Sequence, residues 1–256
     1  EVEGPRRDLH SGQYGGAVAN PANALCAIVA SLLDATSGRV QVPGFYDRVR
    51  PLEAAERAEL ARAPFDVGAF EGATGAAGGW GERDFSLVER LGARPTLDVN
   101  GLVGGWTGDG AKTVLPAKAL AKVSMRLVPD QDPDEIAALV EAHVRAVAPP
   151  GVTVAVRNLP GALPAVADRD TPAMRAAAVA YELAFGQPPY FTREGGSIPV
   201  VALIREVLGI DTVLMGFGLP DDNLHAPNER FHLDQYHRGI DAAIAFHAAL
   251  AAEGAR

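Results

Sequence analysis

Apolar residues recur every three or four positions in NPANALCAIVASLLDAT, where Leu25, Ile28, Val29, Leu32 and Leu33 share one helical face. Asn20 is placed to cap this helix, and Pro21 sits in its first turn, where a missing N–H costs nothing. DPDEIAALVEAHVRAVAP repeats the design: Asp132 caps, Pro133 opens and Glu135 supplies a capping-box carboxylate. Its buried stripe is Ile136, Leu139, Val140, Val144 and Val147. The period shortens to two in LDVNGLVGGW (97–106), AKVSMRLVP (121–129) and VTVAVRN (152–158), which predicts strands. With a strand-like start to the chain, the order strand, helix, two strands, helix, strand describes a ferredoxin-like α+β sandwich with both helices on one face of an antiparallel sheet. Residues 38–94 interrupt it, and their Gly- and Ala-rich middle, FEGATGAAGGWGE, reads as a surface insertion with short helices.

The segment NLPGALPAVADRD opens a different pattern and places a domain boundary near Leu163, giving domains 1–163 and 164–256. Beyond it the chain predicts a helix over 171–185, a short strand ending near Thr192, a helix over 197–208, a strand over 211–217 and a last helix over 234–252. Helices alternating with apolar strands indicate an α/β layer. Two strands are too few for a complete one, so the rest of that layer comes from elsewhere.

Composition narrows the function. A chain of 256 residues, 48% hydrophobic and 21% charged, affords a sizeable core. A net charge of -9 without a basic block excludes nucleic acid and anionic membranes as main partners, leaving a small-molecule substrate. Cys26, the single cysteine, allows neither an intrachain disulfide nor a cysteine zinc site, which suits a cytoplasmic protein. The opening EVEGPRRDLH has neither an initiator Met nor the apolar core of a secretory signal, and is read as the interior of a longer protein.

Four places carry candidate chemistry. In GFGLPDDNLHAPNERFH, His225 is flanked by Asp221, Asp222, Asn228 and Glu229, the company of a metal-binding histidine. Catalytic zinc needs about three protein ligands, and the chain has no HExxH helix or Glu-Glu dipeptide. In REGGSIPVV, Gly195, Gly196 and Ser197 precede an apolar helix, either as a cap with a tight turn or as an anion site of free N–H groups. Arg126 alternates with Val123, Met125 and Leu127, so it projects from the face opposite the helices, as a solvated arginine or as a two-pronged grip on a carboxylate. His10, in RDLHSGQYGG, is either a loop residue or a hydrogen-bond donor to a developing oxyanion. His143, His232, His237 and His247 form no recognisable ligand set and are read as structural.

Taken together, GPRRDLHSGQYGGAVANP, GAKTVLPAKALAKVSMRLVPDQDP, TREGGSIPVV and DDNLHAPNE resemble the zinc-dependent dipeptidase and deacylase family that includes cytosolic nonspecific dipeptidase, carnosinase-like enzymes, succinyl-diaminopimelate desuccinylase and acetylornithine deacetylase. The dipeptidase branch is the nearer. The resemblance implies a lid domain that forms a homodimer, followed by the C-terminal part of an α/β catalytic domain whose N-terminal half precedes Glu1. It implies hydrolysis of a dipeptide or small N-acyl amino acid at two zinc ions, with manganese or cobalt as alternatives, and no metal stably held by this chain alone. His225 corresponds to the last metal ligand. His10 corresponds to the histidine that reaches the neighbouring subunit's active site, Thr113 to a second residue contributed across the dimer, Arg126 to the residue holding the substrate carboxylate, and Gly196 and Ser197 to the turn that helps bind it. Close dipeptidases carry a histidine and a tryptophan where this chain reads NLPGALPAV, so substrate contacts from that connector differ. The alternatives are an N-acyl amino acid deacylase and a non-catalytic dimerisation module.

Overall fold

The structure, a computed structural model, describes residues 1–76, 80–194 and 198–254. Its elements run β1 (Val2–Glu3), β2 (Leu9–His10), α1 (Ser11–Tyr14), α2 (Pro21–Ala30), α3 (Ala54–Leu60), α4 (Val67–Thr74), α5 (Leu87–Ala93), β3 (Thr96–Gly104), β4 (Val114–Leu115), β5 (Lys118–Arg126), α6 (Pro133–Val147), β6 (Thr153–Val154), α7 (Pro172–Phe185), α8 (Pro199–Leu208) and α9 (Leu233–Gly254). They divide into two compact units, Glu1–Ala165 with Arg193–Pro199, and Val166–Thr192 with Val200–Arg256. Among the described residues no helix is long and apolar enough to cross a membrane.

In the first unit β3, β5, β1 and β6 form one antiparallel sheet in that order, the ferredoxin-like arrangement expected from the alternation of elements. β2 and β4 form a separate two-stranded ribbon. Asn20 Oδ1 accepts the Ala22 N–H, and Asp132 Oδ1 accepts the N–H groups of Asp134 and Glu135, each at 2.9 Å, so both expected caps form. Glu135 departs from expectation: its carboxylate meets Arg48 at 2.8 Å rather than folding back on the cap, because a cationic partner outcompetes a backbone N–H there.

Ala24, Leu25 and Ile28 of α2 and Ile136, Val140 and Val144 of α6 bury against Val2, Leu97 and Ala119 of the sheet. Val147, in the last turn of α6, lies exposed instead of completing the stripe. Val40, Val42 and Phe45, in the segment between α2 and α3, enter the same core, a role their pattern did not announce. Phe45 is anchored through its carbonyl, which accepts from Gln131 Nε2 at 2.8 Å; Gln131 Oε1 accepts the Val128 N–H at 3.0 Å. His143 is structural, with Nε2 3.0 Å from Ser31 Oγ.

The second unit is helical. α7 and α9 pack through Ala176, Ala177, Ala180, Gly239 and Ala242, small residues that let the backbones approach. Phe217 packs on Gly239 and stacks on Phe185 at 6.1 Å, while the Tyr181 hydroxyl donates to the Gly216 carbonyl at 2.6 Å. The strands expected near Thr192 and over 211–217 are not formed. A strand is held by a ladder to a neighbour, and among the described residues of this unit there is no strand to supply one.

Candidate functional site

His10 ends β2 and caps α1, and its Nδ1 accepts the Gly12 N–H at 2.9 Å. An Nδ1 that accepts leaves the proton of a neutral imidazole on Nε2, so the ring presents a donor outward. That Nε2 lies 3.4 Å from Thr113 Oγ1. Antiparallel pairing across 103 residues makes this neighbourhood: Leu9 faces Leu115, His10 faces Val114, and the Ser11 N–H donates to the Thr113 carbonyl at 3.0 Å. Gly12 is obligatory for the ring's position, since a Cβ there would fall 2.7 Å from His10 Cε1. Both His10 and Thr113 are exposed, open to a carbonyl arriving from outside.

Arg126 closes β5, paired with Thr96 of β3. Val123 and Met125 pack against the core while Ser124 and Arg126 face out, as the alternation predicts. No ion pair among the described residues involves Arg126, so its guanidinium is available for a carboxylate. Arg126 and the His10–Thr113 pair lie toward opposite ends of this strand. The Gly4 N–H bonds the Ala117 carbonyl at 3.0 Å, carrying the β1–β5 ladder past Lys118 toward β2 and β4. Eight rises of about 3.3 Å separate Lys118 from Arg126, roughly 26 Å, whereas a dipeptide spans about 7 Å.

In the second unit, His225 sits exposed at φ 60, between Asn223 at φ 55 and Asn228 at φ 63. A left-handed histidine costs on the order of 1 kcal/mol, which the loop base offsets. Asp222, 1% exposed, accepts the Leu219 N–H on Oδ2 at 2.7 Å, and its carbonyl accepts the Arg230 N–H at 2.9 Å. One imidazole is too few for zinc, and among the described residues the one cluster of three His, Cys, Asp or Glu donors, Asp221, Asp222 and His232, does not include His225. The sequence put Asp221 and Asp222 beside His225 and read His232 as structural. The Asp-Asp pair ten residues before a histidine was the available signal, but only the turn through residues 223–230 brings the three together. Gly196 and Ser197 lie outside the described residues.

Residues 1–152 match the M20 family's peptidase dimerisation domain. The Cys-Gly metallodipeptidase DUG1 of Saccharomyces cerevisiae is 32% identical over 249 residues, covering 96% of this chain and 51% of that protein. Among solved structures, the M20 family metallo-carboxypeptidase Sso-CP2 from Sulfolobus solfataricus aligns with a TM-score of 0.83 at 29% identity, over 97% of this chain and 56% of that one. Human carnosine dipeptidase 1 aligns with a TM-score of 0.78 at 28% identity, over 98% and 53%. The chain thus spans about half the length of the relatives it matches. A four-stranded antiparallel sandwich under two helices, with the family model covering more than half of the chain, makes this chain a member of the M20 peptidase family, carrying its peptidase dimerisation domain.

Proposed function

We propose that this chain belongs to a longer homodimeric metallodipeptidase, in which one copy supplies His10 and Thr113 to an active site whose Arg126 comes from the other. The supporting observation is the separation along β5: the outward Nε2 donor and the free guanidinium stand too far apart in one copy to grip the same small substrate. Arg126 holds the terminal carboxylate through two hydrogen bonds, joined by Gly196 and Ser197, and this contact limits substrate length. His10 Nε2–H donates to the oxyanion that forms as the amide carbonyl is attacked, where a fixed donor matters most. Thr113 keeps that imidazole in place. His225 is one ligand of a metal centre, read here as two zinc ions, whose other ligands and general base belong to residues preceding Glu1. The water activation a metal supplies is therefore not performed by the residues of this chain, which by itself should not hydrolyse dipeptides. The names of the relatives favour dipeptides over N-acyl amino acids, and a substrate panel separates the two.

The test uses the full-length protein. His10→Ala lowers kcat by about 10²–10³-fold, and a rate within about threefold of the parent, against that expectation, defeats the assignment. Gly12→Ala, which displaces the ring without touching the core, lowers kcat by up to about 100-fold with an unchanged urea midpoint. Mixing separately inactive His10→Ala and Arg126→Ala proteins under subunit exchange restores about a quarter of parental activity, since random pairing leaves one intact composite site in each heterodimer. No restoration would place both residues in one copy's site.

A further inference from the structure

We propose that Asp221, Asp222 and His232 form a divalent-cation site, best suited to zinc, that clasps the base of the loop bearing His225. Their donor atoms all lie within 4.8 Å of one another. His232 Nε2 is 3.7 Å from Asp221 Oδ1 and 3.8 Å from Asp222 Oδ1. These distances are too long for hydrogen bonds. They are close to the separation of about 3.3 Å between ligand atoms around a tetrahedral zinc with bonds of about 2.0 Å.

A second observation points the same way. Asp222 Oδ1 and His232 Nε2 are both shielded from solvent and both without a hydrogen-bond partner, although Asp222 is 1% exposed. An unpaired carboxylate oxygen held away from water is costly, and a cation between the two atoms satisfies both. The remaining oxygens aim the set: Asp222 Oδ2 is taken by the Leu219 N–H and Asp221 Oδ2 by Arg230, leaving each Oδ1 turned toward the imidazole. Such outer contacts orient metal ligands. Two carboxylates against one arginine leave a net negative site, which attracts a dication. Three protein ligands and an open face toward Asp221 leave room for a water in the fourth position.

The site is separate from the metal centre proposed to use His225, and it revises the expectation that this chain holds no metal. Its consequence is mechanical: a cation joining residues 221–222 to residue 232 ties both ends of the loop together just before α9 begins.

The experiment is a zinc titration of the chelator-stripped chain against a chromogenic competitor, with cobalt substitution reporting ligand geometry. The chain binds about one equivalent, and His225→Ala binds equally well. Asp222→Asn and His232→Gln each weaken binding at least about tenfold while helical circular dichroism stays unchanged; the exposed Asp221→Asn weakens it without burdening the fold. Absence of binding makes the cluster a plain Asp–His contact and overturns the proposal. So does binding that His225→Ala abolishes, or that survives Asp222→Asn, Asp221→Asn and His232→Gln together. Activity of the full-length protein plays no part in these readings, so failure here leaves the dipeptidase proposal standing.

Discussion

The two units treat amphipathic helices differently. In the first, α2 and α6 lie on a sheet whose four strands are all in this chain, and Ile28 and Ile136 are 3% and 4% exposed. In the second, α8 carries Val200, Leu203, Val207 and Leu208, each more than half exposed. Amphipathic patterning builds a helix in either case; whether its apolar face is covered depends on the element meant to cover it being present. The same difference explains the strands. β5 finds β3 on one side and β1 on the other, whereas residues 211–217 find no partner strand among the described residues and stay irregular.

Substitutions can sharpen this contrast. The largest effect belongs to the first core: Phe45→Ala should cost about 3–5 kcal/mol. It is read by urea unfolding followed through Trp80 and Trp106, both in the first unit. An unchanged midpoint would mean that the core is looser than its burial indicates. Next is the helix pair of the second unit, where Ala180→Leu places bulk at a fully buried contact and should cost about 1–3 kcal/mol, seen as earlier loss of helical circular dichroism with tryptophan emission unmoved. On α8, Leu203→Ser should change stability by about 0.5 kcal/mol or less, since the side chain is already 53% exposed. A cost of several kcal/mol would show that something covers that face in solution. The smallest effect is set by pH. Burial pushes the Tyr181 hydroxyl up to about 12, against about 10 in an unfolded chain. Its contribution is full below about pH 10 and disappears as pH rises toward 12, so Tyr181→Phe should lose less stability over that window than the parent.

Much of the candidate site was legible because it lay in local grammar. RDLHSG placed a histidine at a turn, and the alternation around Met125 turned Arg126 outward. What stayed hidden depended on the path the backbone takes. The proton position on His10 follows from the Gly12 N–H pointing at Nδ1, and its neighbour Thr113 arrives through a ribbon closed over 103 residues. His232 joins Asp221 and Asp222 only because three left-handed residues bend the loop between them back on itself.

From its own order of residues, the chain determined α2 and α6 with their Asn20 and Asp132 caps, the strands of the sandwich and the outward face of Arg126, since these depend on neighbours within a few positions. Tertiary structure alone decided that Phe45 belongs to the core, that Glu135 answers Arg48, that His10 meets Thr113 and that two apolar stretches of the second unit remain without a ladder. Periodicity reports which face of a segment avoids water; it carries no record of which distant segment will cover that face.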